Sequence, residues 1–251
     1  MADYVIVIPA RYESQRLPGK PLADIHGRPL IEHVWRAARA SAARQVVVAT
    51  DDARIHEAVQ GFGGQCVMTA KTHASGSDRI AECAALMGWA ARQLIVNLQG
   101  DEPEMPPACL QQVAELMDSV GGAAVATLAW PIASAAERDD PNVVKVVMTA
   151  EGEALYFSRS PIPHARGLDD FAAATAAGTR WYRHLGLYCY RHAALREFTG
   201  WTPTPLEQAE KLEQLRFLER GSRIVIAQAC AEIPPGIDTP QDLAAARLRI
   251  K

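Results

Sequence analysis

Three cations, Arg11, Arg16 and Lys20, follow directly on the first aliphatic run of the chain and surround Pro18 and Gly19. Guanidinium groups match phosphate oxygens bidentately, and a lysine adds a mobile point charge. Such a turn is either an ordinary basic surface loop or a cradle for a triphosphate. Its place immediately after a strand favours the cradle, because open α/β sheets bind ligands at the carboxyl ends of their strands. It is neither of the two best-known phosphate loops: no GxGxxG follows the strand, and Gly19-Lys20 precedes Pro21 where a Walker loop needs the serine or threonine that holds magnesium. A metal at this site must be held by residues elsewhere. One carboxylate comes into question. Asp101, in QGDEP (residues 99–103), ends an aliphatic run and follows a glycine. A hard oxygen there suits magnesium, which keeps several waters and bridges to phosphates; capping of the turn before Pro106-Pro107 is the equal alternative. Asp238, in GIDTPQDL (residues 236–243), sits at a helix start, where capping alone would explain it.

Other side chains stand at positions where chemistry and structure compete. Ser75-Gly76-Ser77 can open a helix with an apolar stripe of Ile80, Ala81, Ala84 and Ala85. Arg79 then falls in its first turn, against the helix dipole, which suits a ligand anion at that end. His184 and Tyr188 read as half-exposed strand residues, or, with Arg159 from the start of a proline-rich loop, as charge and hydroxyl contacts for an acidic sugar. Glu207, Glu210 and Glu213 are three apart and share roughly one face of the amphipathic helix expected within residues 202–221. Asp51 and Asp52, after a strand, read as helix caps. No histidine is placed as a general base.

The elements that must position these groups are legible in the hydrophobic pattern. Residues 5–8, 45–50 and 94–98 are short continuous aliphatic runs, as in strands buried on both faces of a parallel sheet. The first should stop at Pro9, which cannot donate to a ladder. Helical spacing over residues 30–40, 53–62 and 109–117 alternates with the strands, giving β-α-β-α units and right-handed crossovers. The pattern then changes: residues 143–148 and 154–158 flank Glu151-Gly152-Glu153 as a hairpin. Residues 164–179 are polar and alanine-rich, a mobile segment or short helix. The fold expected is α/β, a Rossmann-like, mostly parallel central sheet with helices on both faces, plus a smaller mixed-sheet lobe at about residues 130–220 within a single domain of residues 1–251.

Composition excludes several classes. The 251 residues carry 26 Lys+Arg against 29 Asp+Glu, a net charge of −3, so neither nucleic acid nor a membrane surface is an expected partner. No apolar run approaches the roughly 18 residues of a membrane span, and the amino terminus lacks a signal peptide's basic region. Five scattered cysteines without a CxxC pair fit reduced thiols in the cytoplasm.

PARYESQRLPGKPLADIHGRPLIEHV (residues 9–34) resembles the amino-terminal signature of the sugar cytidylyltransferases, and most closely the branch that activates the acidic sugar 3-deoxy-manno-octulosonate (Kdo). HASGSDR (73–79), VNLQGDEP (96–103), PNVVK (141–145), YFSR (156–159), RHLGLYCY (183–190), EKLEQLR (210–216) and GIDTPQDL extend the likeness along nearly the whole chain. The resemblance implies nucleotide contacts from Ala10, Arg11, Lys20, Ser77, Arg79 and Gln99, and sugar contacts from Gln99, Arg159, His184, Tyr188, Glu213 and Gln214. It pairs Asp238 with Asp101 on Mg2+ and makes Arg11, Arg16, Lys20, Asp101 and Asp238 the catalytic set. The reaction implied joins CTP and Kdo into CMP-Kdo with release of pyrophosphate, for lipopolysaccharide biosynthesis; a homodimer is expected from the apolar positions of the helix within residues 202–221. Two other readings compete: a cytidylyltransferase for sialic acid or 8-amino-Kdo, and a non-catalytic nucleotide-binding protein. The latter should have lost Lys20, Asp101 or Asp238, and all three are present.

Overall fold

The computed structural model describes residues 2–13 and 16–250. Ser14 and Gln15, inside the basic loop, lie outside the described residues. In chain order the elements are β1 (Tyr4–Ala10), a single 3-10 turn (Lys20–Leu22), the short β2 (Asp24–Ile25) and β3 (Arg28–Pro29), α1 (Leu30–Arg39), β4 (Gln45–Thr50), α2 (Ala53–Gly61), β5 (Gln65–Met68), α3 (Gly76–Leu86), β6 (Leu94–Asn97) and α4 (Pro107–Ser119). Then follow β7 (Val125–Pro131), α5 (Ala135–Asp139), β8 (Lys145–Met148), β9 (Ala154–Ser158), α6 (Phe171–Ala176), β10 (Tyr182–Arg191), α7 (His192–Thr199), α8 (Pro205–Glu210), α9 (Leu215–Glu219), β11 (Ile224–Gln228) and α10 (Pro240–Arg249).

Among the described residues the main sheet has nine strands. Seven run in the order β11-β7-β10-β6-β1-β4-β5, and the β8–β9 hairpin joins it by pairing β8 with β10. Pairing is parallel from β6 through β1 and β4 to β5, and between β11 and β7; β10 runs antiparallel to both its long neighbours. The antiparallel hairpin expected at residues 143–158 is present, but as an extension of the main sheet. A second, two-stranded antiparallel sheet is β2–β3.

Alternation along β1 explains the two cores. Tyr4, Ile6 and Ile8 join one buried cluster with residues of α1, α4 and α10, while Val5 and Val7 join the other with α3, α7 and α9. Both faces of the strand are therefore covered by helices, as its unbroken aliphatic run demands. Pro9 does not end the strand: it pairs in register with Ala49 of β4. Val7 O accepts from Leu98 N on the β6 side. Pro9 has the same parity, so its missing donor faces the edge where β6 has already stopped at Asn97.

Two other expectations change. The stripe on α3 is Ile80, Cys83 and Ala84, with Ala85 exposed. The helix expected within residues 202–221 is two short helices, α8 and α9, separated by Lys211 in the left-handed region at φ 57°.

Helix α10 is opened by Thr239, not by Asp238. Thr239 Oγ1 accepts from Asp242 N, and the Asp242 carboxylate accepts from the backbone N–H groups of Thr239 and Asp238. This capping box leaves the Asp238 carboxylate free for other work. Replacing the cap, Thr239→Ala, is expected to lower stability by about 1 kcal/mol, read as a shift of the urea midpoint at unchanged slope.

Candidate active site

The first site lies at the carboxyl ends of β1, β4 and β6. A cleft of about 930 Å³ is lined there by Ala10, Arg11, Arg16, Lys20, Arg79, Gln99 and Asp101 from the predicted set. Two glycines make its shape. Gly19 has φ +70°, which lets the loop turn back so that its N–H donates to Tyr12 O at 3.1 Å. Gly100 passes so close to β1 that a β-carbon would lie 2.9 Å from Pro9 O, so the Gln99–Asp101 turn can rest against β1 only with glycine there.

Asp101 and Asp238, 137 positions apart, converge on one ammonium. Lys20 Nζ donates to Asp101 Oδ2 at 2.7 Å and to Asp238 Oδ1 at 3.0 Å, and Arg16 pairs with Asp238 Oδ2 at 2.9 Å. The backbone holds the arrangement: Ile237 N donates to Asp101 O at 2.9 Å, docking the loop before Asp238 onto the turn after β6. Partial burial alone would lower the lysine's pKa; the two carboxylates outweigh it and raise it, so Lys20 stays an ammonium at neutral pH. Arg11 is exposed and, among the described residues, has no ion-pair partner, which leaves its guanidinium for a ligand anion. Two carboxylates offer hard oxygens that fit a divalent ion. Among the described residues no cluster of three or more His, Cys, Asp or Glu could enclose a metal. That donor set suits magnesium, which leaves coordination positions to water and phosphate.

Arg79 is almost fully buried, its guanidinium held by Thr69 Oγ1 at 2.5 Å and Asp51 Oδ2 at 2.7 Å. Asp51 thus fixes a cation in the cleft wall, and only Asp52 acts as the expected cap, accepting from Arg54 N. Side-chain bonds from Arg54 hold the Asp52 carboxyl down at about 2. The same guanidinium lies 3.3 Å from the Tyr12 ring centroid, buttressing the basic loop from below. The cleft is also lined by Asp51, read from the sequence only as a cap, and by Tyr12, Lys71 and His73, which were not singled out, the last bonded to Glu82 at 2.5 Å. Their one readable signal was adjacency to the segments already singled out.

Gln99 also lines a second, smaller cavity of about 190 Å³, together with Ser77, Tyr188, Glu213 and Gln214. Ser77, grouped above with the nucleotide residues, sits here and donates to Glu213 Oε2 at 3.0 Å. Burial raises the Glu213 pKa against the pull of that bond. The floor is aromatic: Tyr188 stacks on Tyr190 and Tyr190 on Phe217. Asn97, whose Oδ1 is buried without a partner among the described residues, closes one side and was not anticipated.

Arg159 and His184 line neither cavity. Arg159 is spent on backbone oxygens, Nε on Glu210 O and Nη1 on Pro141 O. His184 Nε2 meets Thr127 Oγ1 at 2.9 Å, and its ring packs between Phe157 and Tyr188. Burial pushes this imidazole down to about 3, so it carries no charge near neutrality. The sign of the consequence is fixed. Between about pH 6.5 and 3 the unfolded chain binds a proton here that the folded one refuses, so stability falls as the solution is acidified. His184→Gln is expected to flatten that loss, measured as the difference in urea midpoints between pH 7 and pH 5.

A cationic turn, two converging carboxylates and a partly mixed α/β sheet that presents them at its strand ends together define a nucleotidyltransferase. The cytidylyltransferase family profile matches residues 5–224, and the chain belongs to that family. A 3-deoxy-manno-octulosonate cytidylyltransferase of Xanthomonas campestris pv. campestris (strain 8004) is 52% identical over 250 residues, covering 98% of this chain and 99% of the relative. The enzyme of that name from Halorhodospira halophila (strain DSM 244 / SL1) is 50% identical over 252 residues, covering 99% and 97%. Among solved structures, a CMP:2-keto-3-deoxy-manno-octonic acid synthetase complexed with CTP superposes with a TM-score of 0.90 at 43% identity, covering 99% of this chain and 98% of that one.

Proposed function

We propose that this protein transfers a cytidylyl group from CTP to 3-deoxy-D-manno-octulosonate, giving CMP-Kdo and pyrophosphate for lipopolysaccharide biosynthesis. The observation that carries the site assignment is the convergence of Asp101 and Asp238 on Lys20, in a cleft that shares Gln99 with a second polar and aromatic pocket. The larger cleft takes the nucleotide and the smaller one the sugar. The anomeric hydroxyl of the sugar attacks the α-phosphorus in line. A sugar oxygen–phosphorus bond forms, the bond to the β-phosphate oxygen breaks, and the hydroxyl proton passes to solvent. Little covalent chemistry falls to side chains, so positioning and charge stabilisation supply the rate. Arg11, Arg16 and Lys20 neutralise the triphosphate and the departing pyrophosphate. Asp101 and Asp238 hold Mg2+, which when bound supplies Lewis-acid polarisation of phosphate oxygens. Tyr188, Gln214, Ser77 and Glu213 present hydroxyl, amide and carboxyl groups to the sugar. Arg159 and His184 belong to its supporting wall.

The same reading extends to the assembly. A homodimer forms through the lobe at about residues 130–220, where Leu155 on β9 stands exposed, and the enzyme works in the cytoplasm. Light scattering of the purified protein tests the dimer. The reaction is tested by magnesium-dependent pyrophosphate release from CTP with Kdo, 8-amino-Kdo, sialic acid or no sugar. Release with Kdo well above the others supports the proposal; release with another sugar alone, or none, refutes it.

A further inference from the structure

We infer that Glu210 is a positioning residue for the second pocket: by fixing the left-handed turn at Lys211, it sets where Glu213 and Gln214 stand. The inference rests on the sugar reading of that pocket. Glu210 itself lines neither cavity. Residues three apart on one helix share a face. Had α8 continued, Glu213 would have stood beside Glu210. In the structure the two point to different elements. Glu213 reaches Ser77 on α3. Glu210 reaches the end of β9, where Oε1 accepts from Ser158 Oγ at 2.6 Å and Oε2 from Arg159 N at 3.0 Å. Arg159 Nε returns to Glu210 O at 2.8 Å.

The divergence requires the intervening Lys211 to adopt φ 57°, a conformation a non-glycine residue holds only where its surroundings impose it. Three hydrogen bonds on the preceding residue, two to its carboxylate and one to its main-chain carbonyl, add that restraint to the backbone bond from Leu212 N to Glu207 O that closes the turn. A second tie acts independently of it: Arg216 forms a bidentate pair with Glu207 across the turn, Nε to Oε2 at 2.7 Å and Nη2 to Oε1 at 2.5 Å. Loss of the Glu210 carboxylate therefore removes two of these three bonds and loosens the turn, while the Arg159 Nε bond to the main-chain carbonyl and the Glu207–Arg216 pair keep α8 and α9 joined, and the variant folds.

Glu210→Ala is expected to raise KM for Kdo about tenfold, the size of effect typical of coupled neighbouring residues, with KM for CTP nearly unchanged and a modest fall in the unfolding midpoint from the hydrogen bonds lost at Ser158 and Arg159. Glu210→Gln, which keeps a carbonyl acceptor toward β9, should recover most of the loss. In a Glu213→Gln background the Glu210→Ala change should add little, because the group it positions has already been altered. Full additivity of the two changes overturns the inference, as does an equal rise in KM for both substrates. A readout that needs no sugar separates this proposal from the pocket assignment. Amide exchange across residues 211–216 should be faster in Glu210→Ala, and unchanged exchange overturns the positioning role. If Glu213→Gln alone leaves KM for Kdo untouched, the sugar reading of the pocket fails instead.

Discussion

Asp101→Asn is expected to reduce kcat by about three orders of magnitude, the scale of losing charge stabilisation placed at a reacting phosphate. The substitution is a clean probe because the structure separates the two jobs of this residue. The backbone carbonyl accepts from Ile237 N and docks the loop that carries Asp238; that bond survives in the variant. The side chain supplies only a carboxylate oxygen to Lys20, and the ammonium keeps its second partner, Asp238 Oδ1. Asparagine matches the shape and removes the charge. The urea midpoint should therefore move little, and CTP should still bind through Arg11 and Arg16, while magnesium-dependent pyrophosphate release collapses. Turnover within a few-fold of the parent at saturating magnesium would remove Asp101 from the metal site and with it the mechanism.

The sheet strands flanking this site could be read from the sequence because each is a short aliphatic run; β4 begins and ends where the pattern says. The chemistry at their ends was legible for the same reason, since a charged residue just after a buried strand has few places to go. What stayed hidden was decided by partners distant in the chain. Leu212, Leu215, Phe217 and Leu218 have helical spacing, yet bonds from Glu210 to residues more than fifty positions earlier break the helix in their midst. Asp51 looked like a cap until Arg79, 28 positions on, turned it into the anchor of the cleft wall. His184 stood on an alternating pattern that marks an exposed strand face equally well in a pocket or beside one, and Arg159 stood at the start of a proline-rich loop that could turn it either way. Only packing reveals that one is tied to main-chain oxygens and the other to Thr127. Local pattern specifies elements; it does not specify which of two polar faces meets the ligand.

The same logic gives Lys20→Ala two opposite effects. Turnover should fall by about a hundredfold or more, because a cation beside the triphosphate is lost where charge develops. Binding of a divalent ion alone, without nucleotide, should instead tighten by about tenfold. Lys20 Nζ sits against one oxygen of Asp101 and one of Asp238, the oxygens a divalent ion needs. An ammonium at that distance repels an incoming dication, by an amount that partial solvent exposure keeps well under the dry-interior limit. Removing it also leaves two carboxylates facing each other with only Arg16, exposed and on one side, to offset them. The variant should accordingly be less stable than the parent in a chelator and regain more of its midpoint when divalent ion is added, since a ligand bound only by the folded state stabilises it in proportion to its affinity. Calorimetry with Mg2+, or electron paramagnetic resonance with Mn2+, measures the first change, and thermal scans with and without metal measure the second. If the variant takes up the ion no more tightly than the parent, the ammonium and the metal do not compete for these oxygens. Asp101 and Asp238 are then partners of Lys20 alone.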